Sequence, residues 1–200
     1  MKSSYRLLAL LAAVAAPVAA PLGGGQAIAA VNNQDPSQFV DTLADEGFSV
    51  LRTGDRNTAR TRFRTLLSQY FAIDSIGERL IRRWAPTITP AQRAAYKEAL
   101  PNFIVGTYAD RLFDYATADL KVIRTMPAGG GVDVVSQVTK PGVSPITTVW
   151  SVQKAGDGGY KVTNLKVGGI NLAISQAADF DAIVQRKGFD ALVKMMKSRS

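Results

Sequence analysis

The chain of 200 residues has no cysteine and no histidine. Without cysteine there can be no disulfide, thiol nucleophile or thiolate metal ligand, so the fold must rest on its apolar core. Without histidine the commonest general base, the usual nucleophile–base triad and most transition-metal sites are gone. Carboxylates remain, but no Asp/Glu cluster has the spacing of a metal site or a glycosidase pair. Asp45 and Glu46 adjoin at the end of an expected helix, where a solvated pair is the plain reading. An enzyme is therefore not expected. Long apolar runs are also lacking. Leu7–Ala20 is about 14 residues, short of the roughly 20 that span a bilayer. Acid is the scarcer charge, with 16 acidic residues against 24 basic.

What the N-terminus does have is the pattern of a secretory signal. Lys2 and Arg6 precede the apolar run, Pro21 and Gly23–Gly25 break it, and Ala27-Ile28-Ala29 offers small residues to a signal peptidase. The pattern predicts a signal peptide over 1–29, cleaved after Ala29, and an exported, soluble domain over 30–200. Removing Lys2 and Arg6 leaves 22 basic and 16 acidic residues, a net charge of +6. A basic chain invites a nucleic-acid reading. Export and the absence of any nucleic-acid motif argue against it, and anionic lipid or an acidic partner fits better.

The first half of the mature chain reads as helices. Asp35-Pro36 is a cap followed by proline at the first helical position, opening a helix to about Leu51. A second helix is predicted from about Asn57 to Tyr70, and a short third capped by Asp74. Thr89-Pro90-Ala91-Gln92 is a capping-box start. A long helical stretch to about Tyr115 follows, with a kink or break expected at Pro101. The period then changes. Leu120–Met126, Val132–Thr139, Ile146–Lys154 and Tyr160–Val167 read as strands, separated by short glycine-rich turns. Short turns require antiparallel neighbours, which predicts a four-stranded meander. Two last helices, about 175–186 and 189–197, are separated by Gly188. The fold class is α+β, a sheet wrapped by N-terminal and C-terminal helices. Such a curved sheet naturally encloses a cavity, and periodicity alone leaves open whether side chains or a ligand fill it.

Several segments, taken in order, resemble the MlaC family, the toluene-tolerance or auxiliary component of lipid ABC transporters. They are Phe63-Arg64-Thr65-Leu66-Leu67 with Phe71-Ala72-Ile73-Asp74, then Trp84 with Thr89-Pro90-Ala91-Gln92-Arg93. Phe103 with Thr107-Tyr108-Ala109 follows, then Tyr160-Lys161-Val162 with Gly169, Leu172 and Phe180, and last Gly188-Phe189-Asp190-Ala191-Leu192. The resemblance covers about residues 36–197. It implies a fold related to NTF2-like domains and a periplasmic phospholipid carrier, expected to act as a monomer. Its implied partners are an outer-membrane lipoprotein–porin complex and the MCE-domain ring of an inner-membrane ABC transporter. Phospholipid is the cargo and no cofactor is implied. Where the family usually has Asp, Glu-Gly, Ser and Arg near the last strand, this chain has Asn164, Gly168-Gly169, Asn171 and Ala177. A branch carrying hopanoid or another lipid fits those changes equally.

The pocket that this resemblance implies has candidate lining in Leu80, Trp84, Phe103, Tyr108 and Leu112 from helices. Val134, Val138, Trp150 and Val152 are the candidates from strands. Charge supplies a second feature. Arg52, Arg56, Arg60 and Arg64 recur every four residues, and Arg79, Arg82 and Arg83 form a second cluster. Arg56, Arg60, Arg82 and Arg83 are the candidates for docking head groups or an acidic partner, beside the plainer reading of a solvated face. Two other functions stay open: an NTF2-like enzyme or small-ligand receptor drawing on Asp110, Asp114 or Asp133, and an envelope adaptor with a fully packed interior.

Overall fold

The Asp35 carboxylate accepts hydrogen bonds from the backbone N–H groups of Ser37 and Gln38 at 2.9 and 3.0 Å, and Pro36 needs no such partner. Helix α1 (Pro36–Arg52) therefore starts where the sequence places it. Asp55 caps α2 (Arg56–Tyr70) in the same way. Thr89 and Gln92 close a reciprocal capping box on α4 (Pro90–Leu112). Helix α3 (Ile73–Leu80) differs from expectation: its cap position is Ala72, with no side-chain bond, and Asp74 lies inside the first turn. Pro101 sits within an unbroken α4, so the break expected there is absent. The residue removes the one N–H that the Lys97 carbonyl would otherwise receive. A single 3-10 turn, Phe113–Tyr115, carries the chain on to the sheet.

The computed structural model describes residues 31–199; the expected signal peptide, 1–29, lies outside the described residues. The strands are β1 (Asp119–Ala128), β2 (Gly131–Lys140), β3 (Val143–Lys154), β4 (Tyr160–Val167) and β5 (Ile170–Asn171). They form one antiparallel sheet in the order β1-β2-β3-β4-β5. The sheet thus has five strands rather than four. The addition is a two-residue strand after Gly168-Gly169, which take φ of 57° and 84°. Two consecutive positive φ values make the tight hairpin turn that suits strand twist, and glycine adopts them without strain. Helix α5 (Leu172–Lys187) begins three residues earlier than expected, because Asn171 caps it by accepting from the Ile174 N–H at 3.1 Å. Gly188 separates it from α6 (Phe189–Lys197).

Two apolar clusters hold these elements together. One lies among α3, α4, α5 and α6, around Tyr96, Leu100, Phe103, Phe180, Leu192 and Met196. The other joins α1 and α2 to the inner sheet face through Phe39, Val40, Leu66, Val134, Val152 and Val162. Glu46, expected to be solvated near a helix end, is instead 5% exposed in mid-α1, with Arg62 of α2 at 3.9 Å. Arg52 belongs to α1, where it reaches the Ala118 carbonyl at 3.2 Å, and is not part of the α2 stripe. Among the described residues no helix is long and apolar enough to cross a membrane.

Helices α3 and α4 are also clamped by charge. Glu78 pairs with Arg93, and with Lys97 at 3.3 Å. The Arg93 hydrogen bond holds the Glu78 carboxyl below the usual carboxylate range, against the opposing effect of burial, and Lys97 adds to it. A depressed carboxyl stabilises the fold above its unfolded pKa of about 4 and loses that contribution as pH falls. Glu78→Gln should therefore lower stability at neutral pH by up to about 1 kcal/mol, the scale of a half-exposed pair. The deficit should vanish in acid. Thermal melts of both proteins across pH check this, and an equal deficit at both ends would refute it.

Candidate binding cavity

Helices α1 to α5 and the inner face of the sheet do not close completely on one another. Between the two apolar clusters they leave a cavity of about 420 Å³. This is within the roughly 300–1,000 Å³ range of ligand sites. Its floor is the inner sheet face, where Val138, Trp150 and Leu165 project from β2, β3 and β4. Its roof is α4, through Ile104, Tyr108 and Leu112. Residues 104, 108 and 112 recur every four positions and so share one face of the helix. Among the described residues no charged side chain stands on the wall.

The few polar groups of the wall are mostly paired. The Tyr108 hydroxyl donates to Gln176 Oε1 at 3.1 Å. Burial, with Asp179 adding to it and Arg111 opposing, holds the Tyr108 phenol above its ordinary range. It is therefore a protonated donor at neutral pH. On the sheet, Ser136 and Thr148 face each other across β2 and β3, 2.7 Å apart and buried. The Trp150 indole N–H is shared between their oxygens at 3.1 Å each. That pairing satisfies the indole N–H, so that Trp150 can serve as apolar wall. Asn164 is the exception: its side-chain oxygen is buried with no partner among the described residues. A buried acceptor without a donor costs about 1–3 kcal/mol.

The sequence-predicted lining divides cleanly. Leu80, Tyr108, Leu112, Val138 and Trp150 are on the cavity wall. Trp84, Phe103, Val134 and Val152 are not. Phe103 is 1% exposed and packs its ring 5.4 Å from that of Phe180 in the helical cluster. Val134 and Val152 are closed into the α1–sheet cluster. Trp84 borders the helical cluster and donates its indole N–H to Asp181 at 2.6 Å. Sequence reasoning missed the contributions of Phe48, Leu51 and Phe63 from α1 and α2. It also missed the Ser136–Thr148 pair, whose one legible signal was two small hydroxyl residues on strand faces otherwise apolar.

The arginines on α2 have partners. Arg56 and Arg60 both reach Asp110 of α4, at 3.2 and 2.7 Å, and Arg64 donates to Asn102 at 2.7 Å. The stripe thus faces α4 and ties α2 across it. Arg83 lies over the Trp84 ring, 5.2 Å from its centroid, with Asp181 at 3.8 Å. Arg82 is exposed and forms no ion pair among the described residues. The departures near the last strand have local uses as well: Gly168-Gly169 makes the hairpin, Asn171 caps α5, and Ala177 packs at the edge of the helical cluster.

A family model described as MlaC protein matches residues 37–198 of the chain. Among solved structures, the chain is similar to a phospholipid-binding protein from Ralstonia solanacearum, determined in complex with a phospholipid. The two share 22% identity at a TM-score of 0.68, over 82% of this chain and 96% of that one. The likeness establishes the shared fold.

Proposed function

The chain belongs to the MlaC family, and from that premise we propose that it is an exported carrier of phospholipid, with the acyl chains held in the cavity. The uncharged, apolar wall carries this reading. A diacyl lipid with roughly 30 methylenes, at about 0.8 kcal/mol each, would cost on the order of 24 kcal/mol to expose to water. Free monomers therefore do not cross an aqueous gap in useful amounts, and a carrier must enclose the chains. The structurally similar Ralstonia protein, which binds phospholipid in its crystal, supports the same cargo. The signal pattern over 1–29 supports a periplasmic location. Family membership supports a route between an outer-membrane lipoprotein–porin complex and the MCE-domain ring of an inner-membrane transporter.

The catalytic alternative draws no support from the wall. Asp110 is committed to Arg56 and Arg60, Asp133 accepts from Ser151 at 2.6 Å, and neither they nor Asp114 stand on the cavity. With no carboxylate or other charged group among the described wall residues, a bound molecule meets, as acid or base, only the phenols of Tyr108 and Tyr115, and the first of these is already committed to Gln176. The test is native mass spectrometry with solvent extraction, on protein collected from the periplasm after export of the full chain. Near-stoichiometric bound phospholipid is expected, and its head group is named by the same spectrum. An apo mass, with no thermal shift on adding phosphatidylethanolamine, would overturn the carrier reading.

A further inference from the structure

Four of the large hydrophobic side chains left exposed gather in one place. Among the described residues the exposed set is Leu112, Ile123, Met126, Val143, Ile170 and Ile174. Leu112 is itself on the cavity wall while 38% exposed, so it marks the mouth. Ile170 pairs across the hairpin with Val167, another wall residue, and is 61% exposed. Ile174 follows the wall residues Leu172 and Ala173 and is 68% exposed. Val143 pairs with Lys140, whose ammonium lies 5.3 Å from the ring of the wall residue Tyr115. Four separate elements, α4, β3, β5 and α5, thus bring aliphatic tips to one end of the inner sheet face, around the opening. Ile123 and Met126 lie apart, on β1 at and beyond its bulge.

We infer that this rim is a membrane-contact surface: it seats the cavity mouth directly on the headgroup layer of an anionic bilayer. Two cations flank it, Lys140 and Arg111, and neither is in an ion pair among the described residues. Other surface cations, Arg82 among them, also lack a carboxylate; what sets these two apart is their place beside the aliphatic tips, where they can meet anionic head groups. The residue types favour lipid over protein. Hot spots of protein interfaces are rich in Trp, Tyr and Arg and poor in Leu and Val. Exposed aliphatic tips beside cations are what an interfacial lipid contact uses. The rim is also continuous with the wall, so a lipid that leaves the bilayer here keeps its chains on apolar surface throughout. A contiguous exposed apolar patch on an otherwise polar surface marks an interaction site.

The proposal rests on the carrier reading, and its test keeps the two apart. Full-length chain, exported and collected from the periplasm, is floated with vesicles of phosphatidylethanolamine and phosphatidylglycerol in equal parts. Bound lipid is measured on the same sample. Wild type should co-float at low salt, and Ile170→Asp with Ile174→Asp should reduce co-flotation by roughly tenfold or more. That pair should keep its fold, since both side chains are exposed and acid at the start of α5 suits the helix dipole. Ile123→Asp, also exposed but off the rim, should float like wild type. Lipid-loaded protein that stays at the bottom of the gradient would overturn membrane contact, assign the rim to a protein partner and leave the carrier reading intact. Equal losses in the Ile123 and rim variants would overturn it too. Protein that floats through the rim but never holds a lipid would uphold the contact and overturn the carrier.

Discussion

Val138→Trp should cut co-purified phospholipid by roughly tenfold while the melting temperature stays close to wild type. Val138 is half-buried and faces the cavity from β2, between Leu120 of β1 and Ile146 of β3, both on the same wall. The added ring enters space that no side chain fills, and a Trp side chain occupies on the order of 150–250 Å² of contact surface. It therefore takes the place of acyl chain without displacing protein. Val134 sits four residues away on the same strand face and is fully buried in the packed cluster. Trp there overpacks a closed core, so Val134→Trp should lose about 1–3 kcal/mol or more of stability. The two variants make the same chemical change on the same face of one strand. If both lose stability alike, the space beside Val138 is packing and not a site. If Val138→Trp keeps its lipid, the cargo lies elsewhere.

That contrast also marks how far the sequence could be read. Alternation along β2 places Val134 and Val138 on one face, and they are. It cannot say that α1 seals the sheet over the first and leaves the second open, because that depends on packing between distant segments. The same holds on α4. Phe103 and Tyr108 both read as aromatics on a helix, but five residues at about 100° each turn them roughly 140° apart. Phe103 consequently joins Leu100 in the helical cluster, and Tyr108 joins Ile104 on the cavity wall. Local chemistry was the legible part: Asp35-Pro36, Thr89 with Gln92, and Gly188 all bound elements where expected. Strand β5 was missed because two residues carry no periodicity. The four-residue spacing of Arg56, Arg60 and Arg64 does give one helix face. Only the fold reveals that Asp110 and Asn102 stand opposite it.

Phe103→Ala should give the reverse phenotype of Val138→Trp: a large loss of stability with cargo retained. The ring is 1% exposed, 5.4 Å from Phe180, in a cluster that joins α4 to α5 and α6. Truncating such a ring removes its transfer free energy and leaves a hole that close-packed neighbours fill only in part, about 3–5 kcal/mol together. For a domain of this size the melting temperature should fall on the order of 10 °C. Phe103 does not stand on the cavity wall, so the lipid bound per folded molecule should stay near wild type. The measurement is a thermal melt paired with lipid extraction from the folded fraction. An unchanged melt with lost lipid would make Phe103 part of the binding wall. A cooler melt with lipid retained means that the helical cluster holds the cavity's shape and takes no part in lining it.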